Sequence, residues 1–176
     1  SQGNYLDGIT DIIYMNLPES KKLFTFLLVI DCNSRFVWGR LIHKASPEEI
    51  KIAFRHLLRN ENMPAFPILR HDNDPSFNKI KPFFKKLHIL STIKRGPHYL
   101  TLFEPAAKMI KNILIKGFEV RSNFQFNFKN VQERLKDAIN SYNNTPLSKY
   151  KFIPAEKKTP LHDAELRDRK STRLNS

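Results

Sequence analysis

The sequence predicts one α/β domain on a mixed five-stranded sheet, and three observations lead there. Three strand-like stretches follow one another through short links, which makes an antiparallel meander. A well-signalled helix then separates them from a fourth strand, and a helical crossover sets that strand parallel to the first. With 176 residues, the chain is long enough for one substantial core and too short for two. The predicted order is β-β-β-α-β-α-β-α-α.

Each element has its own signal. Residues 9–15, ITDIIYM, are β-branched and aromatic, and NLPES supplies a turn. Residues 21–31, KKLFTFLLVID, become continuously apolar, as a strand near a sheet centre does. CNSR turns the chain into a third strand over residues 35–43. Ser46, Pro47 and Glu49 mark a helix start, and Ile50, Ala53, Phe54, Leu57 and Leu58 line one face at helical spacing. Residues 66–72 make the fourth strand. A short helix over 79–88, with Pro82 in its first turn, leads to a fifth strand, HILSTI. The segment KRGPHYLTL reads as a loop before a helix over about 103–118, and a last helix spans about 130–144. Trp38, Phe83 and Phe84 read as core. The composition shifts after Pro160, so residues 1–160 read as the domain and 161–176 as a disordered tail or sequence artefact.

Thirty basic against seventeen acidic side chains give a net charge of +13. That balance points to a polyanionic partner, most simply nucleic acid, because each neutralised phosphate releases counterions. The single cysteine, Cys32, excludes an internal disulfide framework and a multi-cysteine zinc site, and fits a reducing, intracellular setting. No stretch has the length of apolar residues a membrane span needs, and SQGNYLDG does not read as a signal peptide.

Several acids do not fit a core. Strand alternation puts Asp11 on the face of Ile9 and Ile13, where a carboxylate is costly unless paired, protonated or bound to a metal. Asp72 ends the fourth strand in HDNDP, a sequence that also has ordinary turn chemistry. If the first and fourth strands are neighbours, Asp11 and Asp72 lie side by side, which like charges tolerate when a cation lies between them. Such hard oxygen ligands suit Mg2+ or Mn2+. Glu104 heads a stripe with Lys108 and Lys111 at i, i+4 and i+7. Thr101 and Glu104 also read as a capping box, with Pro105 just inside the helix.

These segments resemble the integrase catalytic core of retroviruses, long-terminal-repeat retrotransposons and Maverick-type DNA transposons. DIIYMNLPESKKLFTFLLVIDCNSRFVWGRLI is similar to the family's opening, HDNDPSF to the stretch with its second catalytic Asp, and FEPAAKMIK to the helix with its catalytic Glu. INSYNNTPLSKYKFIPAE is similar to the ending that follows the core in many retroelements. The resemblance covers roughly residues 5–160. It departs at the spacing: thirty-one residues separate Asp72 from Glu104, fewer than usual. The glycine usual before the Glu is missing, and Pro105 stands where a basic residue is common.

The resemblance implies a ribonuclease H-like fold, a five-stranded mixed sheet of order 3-2-1-4-5 flanked by helices. It implies a metal-dependent polynucleotidyl transferase of the DDE type, which trims DNA ends with water and joins them to a target through a 3′-hydroxyl. Asp11, Asp72 and Glu104 take the catalytic, metal-binding roles, with two Mg2+ or Mn2+ ions as cofactors. Asp7 is the alternative first ligand, and Asp74 holds the turn. Lys108, Lys111, Lys94 and Arg95 are the DNA-contacting residues, and His98 and Tyr99 lie in the loop where DNA would enter. The implied partners are DNA and further copies of the chain, without a membrane, in the nucleus or elsewhere inside the cell. The family's zinc-binding and C-terminal DNA-binding domains are not recognisable, so the chain reads as a core alone or a fragment. The other reading is a decayed or domesticated relative that binds nucleic acid without catalysis.

Overall fold

The computed structural model describes residues 7–17, 20–119, 123–146 and 154–157. Strands β1 (Asp7–Leu17), β2 (Lys22–Asp31) and β3 (Val37–Ile42) form the antiparallel meander, and helix α1 (Pro47–Asn60) crosses over to β4 (Ile68–His71). Helices α2 (Pro75–Lys79) and α3 (Lys81–Lys86) lead to β5 (Leu90–Ile93), followed by α4 (Pro97–Glu119) and α5 (Phe128–Asn143). A 3-10 turn spans Pro154–Lys157. Strand β4 runs parallel to β1, and β5 parallel to β4. The sheet order is β3-β2-β1-β4-β5, the ribonuclease H-like arrangement.

Strand alternation builds a core on each face. Phe26, Leu28 and Ile30 of β2 pack with Ile110 and Leu114 of α4 and Val131 and Leu135 of α5. Leu27 and Val29, pointing the other way, pack with Ile50, Phe54 and Leu57 of α1 and with Phe84. Burying a side chain of this size contributes about 1.5–3 kcal/mol. Helix α1 starts as its sequence requires, with the Ser46 hydroxyl accepting from the Glu49 N–H at 3.3 Å. At Gly39 a Cβ would lie 2.6 Å from Leu28 Cδ2 and 2.7 Å from Ile139 Cδ1, so only glycine lets α5 pack this closely on β3.

Two expectations change. The single short helix over 79–88 is two helices, because Asp74 caps a helix that starts at Pro75, and Ile80 ends it. The loop expected over KRGPHYLTL is largely helical: α4 begins at Pro97, with Gly96 at φ +89° just before it. Proline suits the first helical position because its missing N–H has no acceptor there. Glu104 therefore lies about two turns into α4 rather than in its first turn, and the Thr101 side chain expected to form a capping box with it lies outside the described residues. The tail over 161–176 lies outside the described residues, as do the side chains of His98 and Tyr99.

Candidate active site

Strand register decides which polar residues meet. Asp7 is paired with Ile68, Gly8 with Leu69 and Ile9 with Arg70. Carried two residues further, the same register sets Asp11 beside Asp72, just past the C-terminal end of β4. On the other side of β4, His71 is paired with Ile93, and the Lys94 N–H donates to the His71 carbonyl at 2.7 Å. Asp11, Asp72 and Lys94 thus converge from three neighbouring strands at the carboxyl end of the parallel part of the sheet, where ligand crevices of α/β sheets form.

The three side chains are in contact. Lys94 Nζ donates to Asp11 Oδ2 at 3.2 Å and lies 3.0 Å from Asp72 Oδ1. The Lys94 side chain is only 9% exposed, against 22% for Asp11 and 54% for Asp72. Its ammonium also sits 5.1 Å from the centre of the Phe103 ring, on the core side of α4. Asp11 Oδ1 accepts from the Ile12 N–H at 2.8 Å.

The two carboxyls are electrostatically unlike. Burial and a hydrogen bond with Asp72 push the Asp11 carboxyl up to about 6. Burial also opposes the charge of Asp72, but hydrogen bonds from Asp11 and Lys94, with the Lys94 charge, outweigh it and hold Asp72 below the usual carboxylate range. This is the pattern of two close acids sharing a proton.

His71 fixes the backbone that carries Asp72. Its ring is fully buried and stacks on Phe77 with centroids 5.0 Å apart. Burial pushes its pKa down, so the ring is neutral and Nδ1–H donates to the Asp72 carbonyl at 2.7 Å, while Nε2 has no hydrogen-bond partner among the described residues. Beyond it the turn is held by Asp74, whose carboxylate accepts from the Ser76 N–H at 2.7 Å as the cap of α2.

The other candidates fall as follows. Asp7 lies four residues back along β1, about 13 Å from Asp11 by strand rise, and pairs with Arg70 Nη1 at 3.0 Å. It does not join Asp72. Glu104 is exposed on α4, next to Phe103, whose ring lies against Lys94. It does not complete a triad: among the described residues, no three His, Cys, Asp or Glu side chains converge closely enough to hold a metal ion. Lys108 and Arg95 are exposed and Lys111 is half-buried, while Lys94 is turned inward onto the acids. The sequence gives little warning that Lys94 meets both carboxylates. Its only signal is a lysine directly after the fifth strand.

The paired acids suit a cation. Two carboxyls within hydrogen-bonding reach, with an ammonium already between them, form a donor set that a hard divalent ion would accept.

Solved structures with this architecture exist. The BIV integrase catalytic core domain superposes with a TM-score of 0.67 at 18% identity, over 91% of this chain and 97% of that one. The chain has the fold of a retroviral integrase catalytic core. The HTLV-2 integrase core in complex with magnesium, in a trimeric form, matches with a TM-score of 0.72 at 17% identity, over 88% of this chain and 97% of that one. A chain of the simian T-cell lymphotropic virus intasome, solved with the PP2A regulatory subunit B56 gamma, matches with a TM-score of 0.74 at 17% identity. The match covers 89% of this chain, which spans about half, 55%, of that one. No protein-family model and no curated protein matches the chain. Within the integrase-core fold, Asp11 lies on the first strand and Asp72 just past the end of the fourth. Among the described residues no helix is long and apolar enough to cross a membrane.

Proposed function

We propose that this chain is the catalytic core of a DDE-type DNA integrase, a metal-dependent polynucleotidyl transferase that trims DNA 3′ ends and joins them to a target strand. The observation that carries the reading is the meeting of Asp11 and Asp72 across β1 and β4, two acids whose proximity is costly without a cation.

Asp11 and Asp72 would hold the divalent ions, Mg2+ or Mn2+, with Glu104 as the third carboxylate brought in from α4. Two such ions, when bound, stabilise the attacking and leaving oxygens of an in-line displacement at phosphorus. The chain's own residues prepare that arrangement. His71 anchors the carbonyl of Asp72 and so fixes its carboxylate relative to Asp11. The Glu104, Lys108 and Lys111 stripe sets two cations along α4 beside the acid. With exposed Arg95, they would hold DNA phosphates and set register without reading sequence. The reading includes assembly of several copies, in keeping with the trimeric and dimeric forms of the HTLV-2 core, and action on DNA inside the cell.

A second reading has its own observation. Lys94 already neutralises the acid pair and, among the described residues, no third ligand stands beside it, which also suits a non-catalytic relative that keeps the fold and binds DNA. Mn2+-dependent cutting of a labelled duplex end separates the two. Cutting by the wild type that Asp72→Asn abolishes, with salt-dependent DNA binding retained, supports the integrase. A folded, DNA-binding wild type that never cuts supports the relative.

A further inference from the structure

We infer that Lys94 is a built-in counter-cation, occupying the position between Asp11 and Asp72 that a divalent metal needs, so that metal binding and displacement of the Lys94 ammonium are a single exchange. The inference rests on the reading of Asp11 and Asp72 as metal ligands and adds a regulatory step to it.

The placement is not that of a surface lysine that happens to meet an acid. The Lys94 N–H bonds the His71 carbonyl at 2.7 Å, so its Cα is fixed by the β4–β5 ladder. Its side chain is 9% exposed. The ammonium is enclosed by Asp11 Oδ2 at 3.2 Å, Asp72 Oδ1 at 3.0 Å and the Phe103 ring at 5.1 Å. An exposed ion pair contributes little because water competes for both charges. Here the two acids and the ring face take most of the water from Lys94 itself, while Asp72 stays about half exposed.

A Mg2+ ion binds carboxylate oxygens at about 2.0–2.1 Å, and one oxygen of each acid, Asp11 Oδ2 and Asp72 Oδ1, already lies against the Lys94 ammonium. A metal and an ammonium on the same oxygens would be like charges a few ångströms apart, which is unfavourable where the ammonium is itself nearly buried. One must leave. The lysine can, because its charge sits on a flexible four-carbon stem. Once released, it lies beside exposed Arg95 and adds to the basic surface offered to phosphates. Lys94 would thus contact DNA only in the metal-loaded state.

The test is Mn2+ binding by electron paramagnetic resonance, at one pH and ionic strength, to the wild type, Lys94→Met, Lys94→Arg and Lys94→Met/Asp72→Asn, each checked for folding by circular dichroism. We expect Lys94→Met to bind at least tenfold more tightly than the wild type, Lys94→Arg to stay weak, and the double variant to lose the site. Equal affinity in wild type and Lys94→Met, lost with Asp72→Asn, overturns the role of Lys94 and leaves the metal reading standing. No Mn2+ binding by a folded Lys94→Met overturns both. Should Lys94→Met fail to fold, trace acetylation of the wild type read by mass spectrometry decides. Lys94 should be protected relative to Lys108 without metal and become reactive at saturating Mn2+; labelling that Mn2+ leaves unchanged overturns the inference.

Discussion

The side-chain amide of Asn143 holds both backbone groups of Val37, accepting from its N–H and donating to its carbonyl, each at 2.9 Å. Gln132 Oε1 accepts from the Leu41 N–H at 2.6 Å further along the same strand. Helix α5 thus supplies side-chain partners where, among the described residues, β3 has no neighbouring strand, and backbone groups bonded in this way are not open to pairing with another chain. Asn143→Ala should destabilise the domain by about 2–4 kcal/mol, because two buried backbone groups lose their partners at once. Urea unfolding measures it, and a loss under about 0.5 kcal/mol would contradict the clamp.

Packing at Gly39 predicts a second stability effect. An added methyl would press on Leu28 and Ile139 together. Gly39→Ala should cost about 1–3 kcal/mol by overpacking, and Gly39→Ala/Ile139→Ala should recover part of that loss in the same unfolding assay. No recovery would place the strain elsewhere.

Asp31 predicts a pH effect. It is buried, and burial pushes its carboxyl up to about 6 although the Asn33 and Ser34 N–H groups donate to it. A raised folded-state pKa favours the protonated fold, so its contribution is fully present below about 3.8 and is lost as pH rises through about 6. His71 pulls oppositely, since its lowered pKa favours folding as pH rises. The difference between wild type and Asp31→Asn isolates the acid. Relative to Asp31→Asn, the wild type should lose stability steadily from about pH 4 to about 6.5 in thermal melts; a flat difference contradicts the assignment.

The basic stripe predicts salt behaviour. Lys108→Glu/Lys111→Glu should weaken binding to any duplex to a similar degree and make the slope of log K against log salt shallower by about 2, roughly one for each phosphate that is no longer neutralised. An unchanged slope would remove both lysines from the DNA surface.

Much of this is legible in the sequence, for identifiable reasons. The continuous apolar run of β2 and the Ser46-Pro47 start of α1 are local signals, and both elements form close to where they are predicted. The Asp11 and Asp72 pair is legible because a helical crossover makes β4 a parallel neighbour of β1, which fixes two distant residues at once. The start of α4 is not, because Gly96-Pro97 reads as loop punctuation while Thr101, Glu104 and Pro105 imitate a second helix start. Nor is the role of Lys94, whose partners depend on the joint register of β1, β4 and β5 and on nothing in its own neighbourhood. Asn143 is visible only as part of a motif, since its partner Val37 is 106 residues away.

We propose that Asp11, Asp72 and Glu104 act together on DNA phosphates. The direct measurement is Mn2+-dependent disintegration of a branched DNA substrate by the wild type, Asp11→Asn, Asp72→Asn and Glu104→Gln, with DNA binding followed in parallel. We expect resolved strands from the wild type and a loss of at least a hundredfold in each variant at unchanged DNA affinity. Wild-type activity that survives in Asp72→Asn, or a folded wild type that binds DNA and resolves nothing, would contradict it.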